Sequence, residues 1–418
     1  MAAVKILFLS RWFPYPPNNG SKIRVFNLLR QLARRHEVAL VSFGDRGDAA
    51  DARASAVLSQ YCSTVRVLPY RGFRPSSARS LLGLLSPRPR SLVDTLSVEM
   101  RRAALEQVGD GRCDLVVASQ LDMVPYALAL PGVPALLEEL ELSTYLDAVS
   151  REASLSRRVR ALLTWAKLSA YLRRTLPRFA ACTVVSEREM ANLRGVAPWY
   201  TAVEIVPNAL ELSEYGGVYG PPRPGTLVFC GALTYSANYD AVRHFLGAAY
   251  PLIAGALPGV VLRLTGDNSG IDLASLPRCA GVEHTGYVPD VRPVVAESWA
   301  SVVPLRKGGG TRLKILESMA LGTPVVSTSK GAEGLDVTDG EDILVADDPR
   351  LFAEKTVALL LSEALRTRLA AGGRRLVQSK YDWNVVGAKL LDLVDRVADG
   401  RALPTAVDGR ADRIGSRP

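Results

Sequence analysis

Short apolar runs alternate with amphipathic stretches through the first half of the chain. KILFLS (5–10), EVALVSF (37–43), TVRVLPY (64–70), DLVVAS (114–119), PALLEEL (134–140) and ACTVVS (181–186) have the length and apolar, β-branched content of buried strands. Helical patterns lie between them. In RVFNLLRQLARR, Val25, Leu28, Leu29 and Leu32 recur at i, i+3, i+4, i+7 on one face. Strand–helix alternation of this kind predicts parallel strands covered by helices on both sides.

The pattern pauses at AVEIVPNAL (202–210), and SEYGGVYGPPRPG (213–225) is dense enough in Gly and Pro to be a linker. Alternation then restarts. TLVFCG (226–231), VVLRLTG (260–266), VEHTG (282–286), ASVVPL (300–305), PVVST (324–328) and ILVA (343–346) are strand candidates. Helices fit 237–255, 290–298, 311–321, 349–361, 363–378 and 383–398. The expected organisation is an α/β chain of two doubly wound, Rossmann-like domains, 1–208 and 226–382, with a linker at 209–225, a final helix at 383–399 and a disordered tail at 400–418. Open sheets of this class bind ligands beyond the carboxyl ends of their strands. Two facing sheets therefore point to a cleft between the domains.

Composition narrows the function. The 418 residues carry a net charge of +9, much of it in the first half. Arg71, Arg74, Arg79, Arg88 and Arg90 punctuate a Pro/Ser-rich stretch, and Arg157, Arg158, Arg160, Lys167, Arg173 and Arg174 lie on a helix expected over 154–175. Such a surface favours phosphates or anionic lipid heads. That helix also carries Leu155, Leu162, Leu163, Trp165 and Leu168, a pattern that serves either core packing or contact with an anionic membrane. No nucleic-acid motif is present, and aromatics do not interleave with the basic residues. Five scattered cysteines and three histidines lack metal-ligand spacing, so no metal is expected. No apolar run is long enough to span a membrane, and the N-terminus lacks a signal peptide's layout, so the cytosol is the expected location.

The densest chemistry lies in RKGGGTRLKILESMALG, 306–322. The glycines expose backbone amides after a strand. A helix expected to open near Thr311 adds its positive end, with the Thr311 hydroxyl as cap. Arg312 falls on the apolar face of that helix and needs a carboxylate or a ligand phosphate as partner. Lys314 and Glu317 share its flank, where they either pair with each other or serve a ligand. Glu317 lies roughly 9 Å along the axis at about 1.5 Å per residue, a distance that suits a phosphate at the mouth and a sugar diol deeper in. The stretch matches neither the P-loop nor the G-x-G-x-x-G pattern.

VVPLRKGGGTRLKILESMALGTPVVSTSKGAEGL resembles the donor segment of family 4 retaining glycosyltransferases of GT-B fold, in particular the bacterial sugar transferases of exopolysaccharide clusters. VEHTGYVPDVRP (282–293), VFCGALTYSANYDAVRHF (228–245), IVPNAL (205–210) and the N-terminal stretch 9–43 match the same group in order. The resemblance implies a nucleotide-diphosphate sugar as co-substrate, with no further cofactor. It places Gly308, Gly309, Gly310 and Thr311 at the diphosphate, Glu317 at the ribose, Gly286 and Tyr287 at the base, and Gly231 and Asn238 under the donor. Gly20 and Ser21 would face the diphosphate and acceptor, with Arg24 and Glu141 as further candidates on that side. The last helix would cross back to the N-terminal domain.

Three positions depart from the family pattern. Gly309 stands where the first glutamate of Glu-x7-Glu is expected. GALTYSANYD lacks the usual Arg and Lys, leaving Arg306, Arg312 or Lys314 to supply catalytic charge. EELELS lacks the histidine found after the fifth strand. The expected reaction is metal-independent transfer to a saccharide or lipid-linked acceptor, the leaving phosphate taking the acceptor proton. A degenerate nucleotide-sugar-binding scaffold or sensor and a GT-B epimerase are the alternatives; the second needs further acid–base groups.

Overall fold

The computed structural model describes residues 3–45, 52–109, 113–151, 154–309 and 312–401. Gly310, Thr311 and the tail from residue 402 therefore lie outside the described residues. Two compact units result: Met1–Pro207 with Gly387–Pro418, and Asn208–Val386.

Unit 1 contains a seven-stranded parallel sheet in the order β3-β2-β1-β4-β5-β6-β7. Its strands are β1 (Lys5–Ser10), β2 (Glu37–Gly44), β3 (Thr64–Pro69), β4 (Leu115–Ser119), β5 (Ala135–Glu138), β6 (Ala181–Val184) and β7 (Val203–Ile205). The helices are α1 (Gly20–Leu32), α2 (Ala52–Leu58), α3 (Ala78–Leu82), α4 (Arg90–Asp94), α5 (Val98–Val108), α6 (Val124–Ala127), α7 (Ser143–Arg151), α8 (Leu155–Thr175) and α9 (Glu187–Val196). β4 is buried along its whole length, as a strand covered on both faces must be. Leu7, Leu9, Val116 and Leu137 form the sheet's contribution to the core, against Met100, Leu168 and Leu172 from helices.

Unit 2 repeats the design in a six-stranded parallel sheet, β10-β9-β8-β11-β12-β13. The strands are β8 (Arg223–Cys230), β9 (Val261–Thr265), β10 (Val282–Gly286), β11 (Ser298–Val303), β12 (Val325–Ser327) and β13 (Leu344–Val345). Its helices are α10 (Ser236–Ala248), α11 (Tyr250–Ala256), α12 (Arg292–Ala296), α13 (Leu313–Ala320), α14 (Pro349–Leu361) and α15 (Glu363–Lys380). The last helix, α16 (Trp383–Ala398), begins in unit 2 and ends in unit 1. The expected pair of doubly wound parallel-sheet domains is borne out.

Three details differ from the sequence reading. The helix expected over 237–255 is two helices, because Pro251 has no N–H to bond the preceding turn. β7 occupies what read as a pause; its three half-buried edge residues are too few to show alternation. The Gly/Pro-rich stretch is structured at both ends, with a 3-10 turn at Leu212–Tyr215 and the start of β8 at Arg223. Just before it, Leu210 N donates to the Tyr381 carbonyl at 2.8 Å and Trp383 N donates to the Leu210 carbonyl at 2.9 Å. The two ends of unit 2 are thus hydrogen-bonded to each other.

Candidate functional site

In unit 2 the strand order reverses between β8 and β11, which pair through Ala300↔Leu227 and Ser301↔Val228. The segments leaving their carboxyl ends therefore emerge side by side, where open α/β sheets bind ligands. One begins at Gly231 and the other runs from Leu305 into α13.

Bare backbone is required at the first. A Cβ on Gly231 would lie 2.7 Å from both Asn238 Nδ2 and Lys314 Nζ. A Cβ on Gly266 would fall 2.5 Å from the Gly231 carbonyl carbon, and Gly266 holds a φ of +141°. Gly231 N donates to Thr265 O at 2.8 Å, and Gly266 N donates to Gly286 O at 2.9 Å. The ends of β8, β9 and β10 are thus joined backbone to backbone. Gly286 has a φ of +68°, and Tyr287 beyond it is exposed.

The glycine loop is held by the arginine that follows it. Arg312 donates to the carbonyls of Gly308 at 2.9 Å and Gly309 at 3.1 Å, and its guanidinium lies 3.6 Å from Glu333. Turning the Gly308 carbonyl toward Arg312 points the Gly309 N–H the opposite way, because the two lie trans across one planar peptide. Gly308, at φ +101°, packs against α10; a Cβ there would sit 3.0 Å from the Ala237 methyl. α13 begins at Leu313, two residues later than expected. Arg312 occupies the cap position, and its side chain makes no capping bond to the positive end of the helix.

The three candidate cations therefore differ. Arg306 is half-exposed and paired with Asp240 at 3.1 Å. The buried Arg312 has found a protein carboxylate rather than needing a ligand phosphate. Lys314 forms no ion pair with a described residue, although the Glu317 charge still favours its protonated form. Its ammonium donates to Asn238 Oδ1 at 2.9 Å and sits 4.5 Å from the centre of the Phe229 ring. Burial pulls its pKa down to about 8, and the nearby Arg312 charge adds to the fall. Glu317 instead accepts from the Tyr215 hydroxyl at 3.1 Å, and burial raises its pKa. Gly231, Asn238, Lys314, Glu317, Gly308 and Gly309 thus form one constellation. Tyr215 and Gly266 are additions to it. A strand ending in glycine was the available signal for Gly266; nothing local marked Tyr215.

In unit 1, Gly20 opens α1 with open space around it, Ser21 follows, and Asn19 caps the helix by accepting from Lys22 N at 3.0 Å. Arg24 does not reach solvent. It is buried, bonded through Nε to Glu138 at 2.7 Å and through Nη2 to the Val206 carbonyl at 2.9 Å. Glu141 is half-buried, and its charge raises the pKa of Glu139. The residues that sequence reading passed over are Gln120 and Glu139. They end neighbouring strands with φ of 72° and 57°, and Gln120 Nε2 donates to Glu139 Oε2 at 2.8 Å. Burial lifts the Glu139 carboxyl to about 7, Arg24 opposing and Glu138 adding to the rise. Strained backbone and a perturbed acid together mark functional corners more often than structural ones. Among the described residues no group of His, Cys, Asp and Glu is placed to hold a metal ion.

Residues 224–362 match the family model for glycosyl transferases group 1. Over 216 residues the chain is 33% identical to a phosphatidyl-myo-inositol mannosyltransferase of Mycobacterium leprae, covering 47% of this chain and 54% of that protein. Over 145 residues it is 33% identical to LpsE, a lipopolysaccharide core biosynthesis glycosyltransferase of Rhizobium meliloti, covering 33% and 42%. The chain spans about half the length of the curated relatives it matches. Among solved structures, Anabaena HepE in complex with UDP and glucose aligns with a TM-score of 0.63 at 15% identity, over 94% of this chain and 99% of that one. Sucrose-phosphate synthase from Thermosynechococcus elongatus aligns at 0.67 and 17%, over 95% and 100%. The chain has the GT-B fold, two Rossmann-like domains, and its second unit is similar to glycosyl transferases of group 1.

Proposed function

We propose that the chain is a retaining glycosyltransferase that moves a sugar from a nucleotide-diphosphate donor to a saccharide or lipid-linked acceptor in bacterial surface polysaccharide or glycolipid synthesis. The observation that carries this reading is the constellation in unit 2: a helix end that Arg312 does not cap, a glycine loop steered by Arg312, and a buried Lys314 held by Asn238 with no ion pair to a described residue. Fixed amides and a desolvated ammonium stabilise negative charge growing on a leaving diphosphate. The bond between sugar C1 and the diphosphate oxygen breaks, and the acceptor oxygen bonds to C1 on the same face. The acceptor proton passes to the leaving phosphate. Glu317, held by Tyr215, accepts from the ribose hydroxyls. The Gly309 substitution removes one carboxylate from the donor sugar, so Asn238 and backbone amides bear more of its recognition. The reading also includes peripheral contact of the basic α8 with an anionic membrane on its cytoplasmic face.

The test is to screen UDP-, GDP-, ADP- and dTDP-sugars by thermal shift, since a donor that binds the folded state raises its melting temperature. Nucleoside diphosphate release is then measured with the stabilising donor. UDP-sugars come first, because a structural neighbour holds UDP and glucose. Binding without release, even with oligosaccharide and lipid-linked acceptors supplied, would establish the scaffold reading instead.

A further inference from the structure

At the end of α8 the sequence reads YLRRTLPR, 171–178. Tyr171, Arg174 and Arg178 recur at i, i+3 and i+7. One face therefore carries an aromatic ring and two cations, continued through the 3-10 turn at Leu176–Arg178. Two further arginines meet this face. Arg101 stands near the start of α5, and Arg88 lies between Pro87 and Pro89 in the turn before α4. Lys167, one turn earlier on α8, donates to the carbonyls of Gly83 and Ser86, each at 3.1 Å, and fastens that turn beside the helix. Arg90 Nη2 braces it further through Pro75 O at 2.7 Å and Ser80 Oγ at 2.9 Å.

These elements enclose a cavity of about 390 Å³ in unit 1, bordered by Arg88, Arg101, Arg174 and Arg178 with Tyr171 in its wall. Pro87, Leu96, Pro125 and Leu128 add apolar surface. No carboxylate borders it among the described residues. Arg178 donates to the Leu128 carbonyl at 3.0 Å, while the side chains of Arg88, Arg101 and Arg174 make no hydrogen bond or ion pair with a described residue.

Exposed arginines alone are an ordinary solvated surface. The tyrosine is not. Tyr171 is 7% exposed, yet its hydroxyl makes no hydrogen bond with a described residue, and Thr175 bonds only its carbonyl. The hydroxyl lies close enough to Arg88 and Arg178 for their charges to bear on it, so it faces the cavity they border. Burial lifts its pKa to about 12, so at neutral pH it holds a proton that it can donate. A buried donor left unpaired is costly. The four guanidinium groups around it repel one another unless an anion sits among them. One anion, accepting from the phenol and from several guanidinium groups at once, resolves both.

Charge sets the class of that anion. A carboxylate or a phosphodiester brings one negative charge and leaves most of the arginines uncompensated. A phosphate monoester or a diphosphate brings two or more charges and enough terminal oxygens for every donor. The apolar wall leaves room for a compact organic group beside them.

We propose that unit 1 carries a binding site for a soluble phosphate monoester or diphosphate, its terminal phosphate held by Arg88, Arg101, Arg174, Arg178 and the Tyr171 hydroxyl. The site goes beyond sugar transfer, since it includes no residue of the unit 2 constellation and none of the Gln120–Glu139 corner.

The experiment maps arginine reactivity in the full chain. Phenylglyoxal modification is followed by peptide mass spectrometry, with inorganic pyrophosphate as the probe and sodium chloride at equal ionic strength as the control. Pyrophosphate at ten times its dissociation constant should slow modification of Arg88, Arg101 and Arg174 about ten-fold. Chloride should not. Arg101→Gln with Arg174→Gln should weaken the affinity read at Arg88 roughly 100-fold, and Tyr171→Phe roughly ten-fold, at about ten-fold per hydrogen bond to a charged group. Arg101 and Arg174 are exposed, so that pair should leave the melting temperature unchanged. Tyr171→Phe removes a hydroxyl with no described partner, so its melting temperature should hold or rise. A lower melting temperature with affinity unchanged would make the hydroxyl structural and overturn the proposal. Absence of protection, or equal protection by chloride, overturns it as well. Protection confined to Arg306 would place the anion in unit 2 instead. Protection by phosphatidylglycerol vesicles but not by pyrophosphate would assign the arginines to a lipid headgroup, and either result overturns the site. A donor thermal shift bears only on the transferase reading, so the two stand or fall separately.

Discussion

The two units handle the carboxyl ends of their sheets in opposite ways. In unit 1 the left-handed turns after β4 and β5 fall on Gln120 and Glu139. In unit 2 such turns fall on Gly266, Gly286 and Gly308. A non-glycine residue in that region costs roughly 1–3 kcal/mol, so unit 1 accepts strain in order to keep side chains there. Unit 2 removes the side chains and leaves amides and carbonyls. One corner keeps titratable groups beside a buried ion pair; the other presents main chain beside a buried lysine that forms no ion pair with a described residue.

That contrast can be broken at four points. The largest effect is expected at Arg24. Arg24→Met strands the Glu138 carboxylate in the core and should cost about 3–5 kcal/mol in urea denaturation, whereas Arg24→Met with Glu138→Leu should recover most of it. A stable single variant would mean the pair does not support the corner. In unit 2, Lys314→Met should lower turnover roughly 10²–10³-fold with little change in stability, as expected of a group that meets transition-state charge. Because the free ammonium titrates near 8, wild-type kcat/KM should fall as pH rises through that value, and the fall should vanish in Lys314→Met.

Smaller still, Glu317→Ala should weaken nucleotide binding about 10–100-fold by calorimetry, the range of a hydrogen bond to a charged group. Unchanged affinity would remove α13 from the donor site. The last point is Glu139. Its folded pKa of about 7 exceeds the ordinary 4.5, so the folded state holds the proton more tightly than the unfolded one. Stability should therefore decline as pH rises from about 4.5 to about 7 and level off above, and Glu139→Gln should flatten that slope in thermal melts.

Local periodicity made the fold legible. Strands buried on both faces are apolar runs, and each helix shows its inward face within two turns. What stayed hidden depends on partners far along the chain. Arg24 looked like a surface or site residue because its partner lies 114 positions away. Arg312 read as part of a helix face but sits at its cap, and its carboxylate, Glu333, belongs to a loop beyond β12. Tyr215 lies in a stretch whose composition said only linker. The glycines before α13 were legible as exposed backbone, yet the reason that loop points as it does, Arg312 drawing the Gly308 and Gly309 carbonyls inward, appears only in three dimensions.

The paired bonds between Leu210 and the Tyr381–Trp383 segment have one more consequence. They bring the start and finish of unit 2 together. A segment with its ends side by side behaves as a cassette: it can be exchanged for the matching unit of a relative, or given new termini elsewhere, with the host sheet's own strands left uninterrupted. The family match at 224–362 lies wholly inside that cassette. Unit 2 can then be replaced as one piece while the Gln120–Glu139 corner of unit 1 stays as it is.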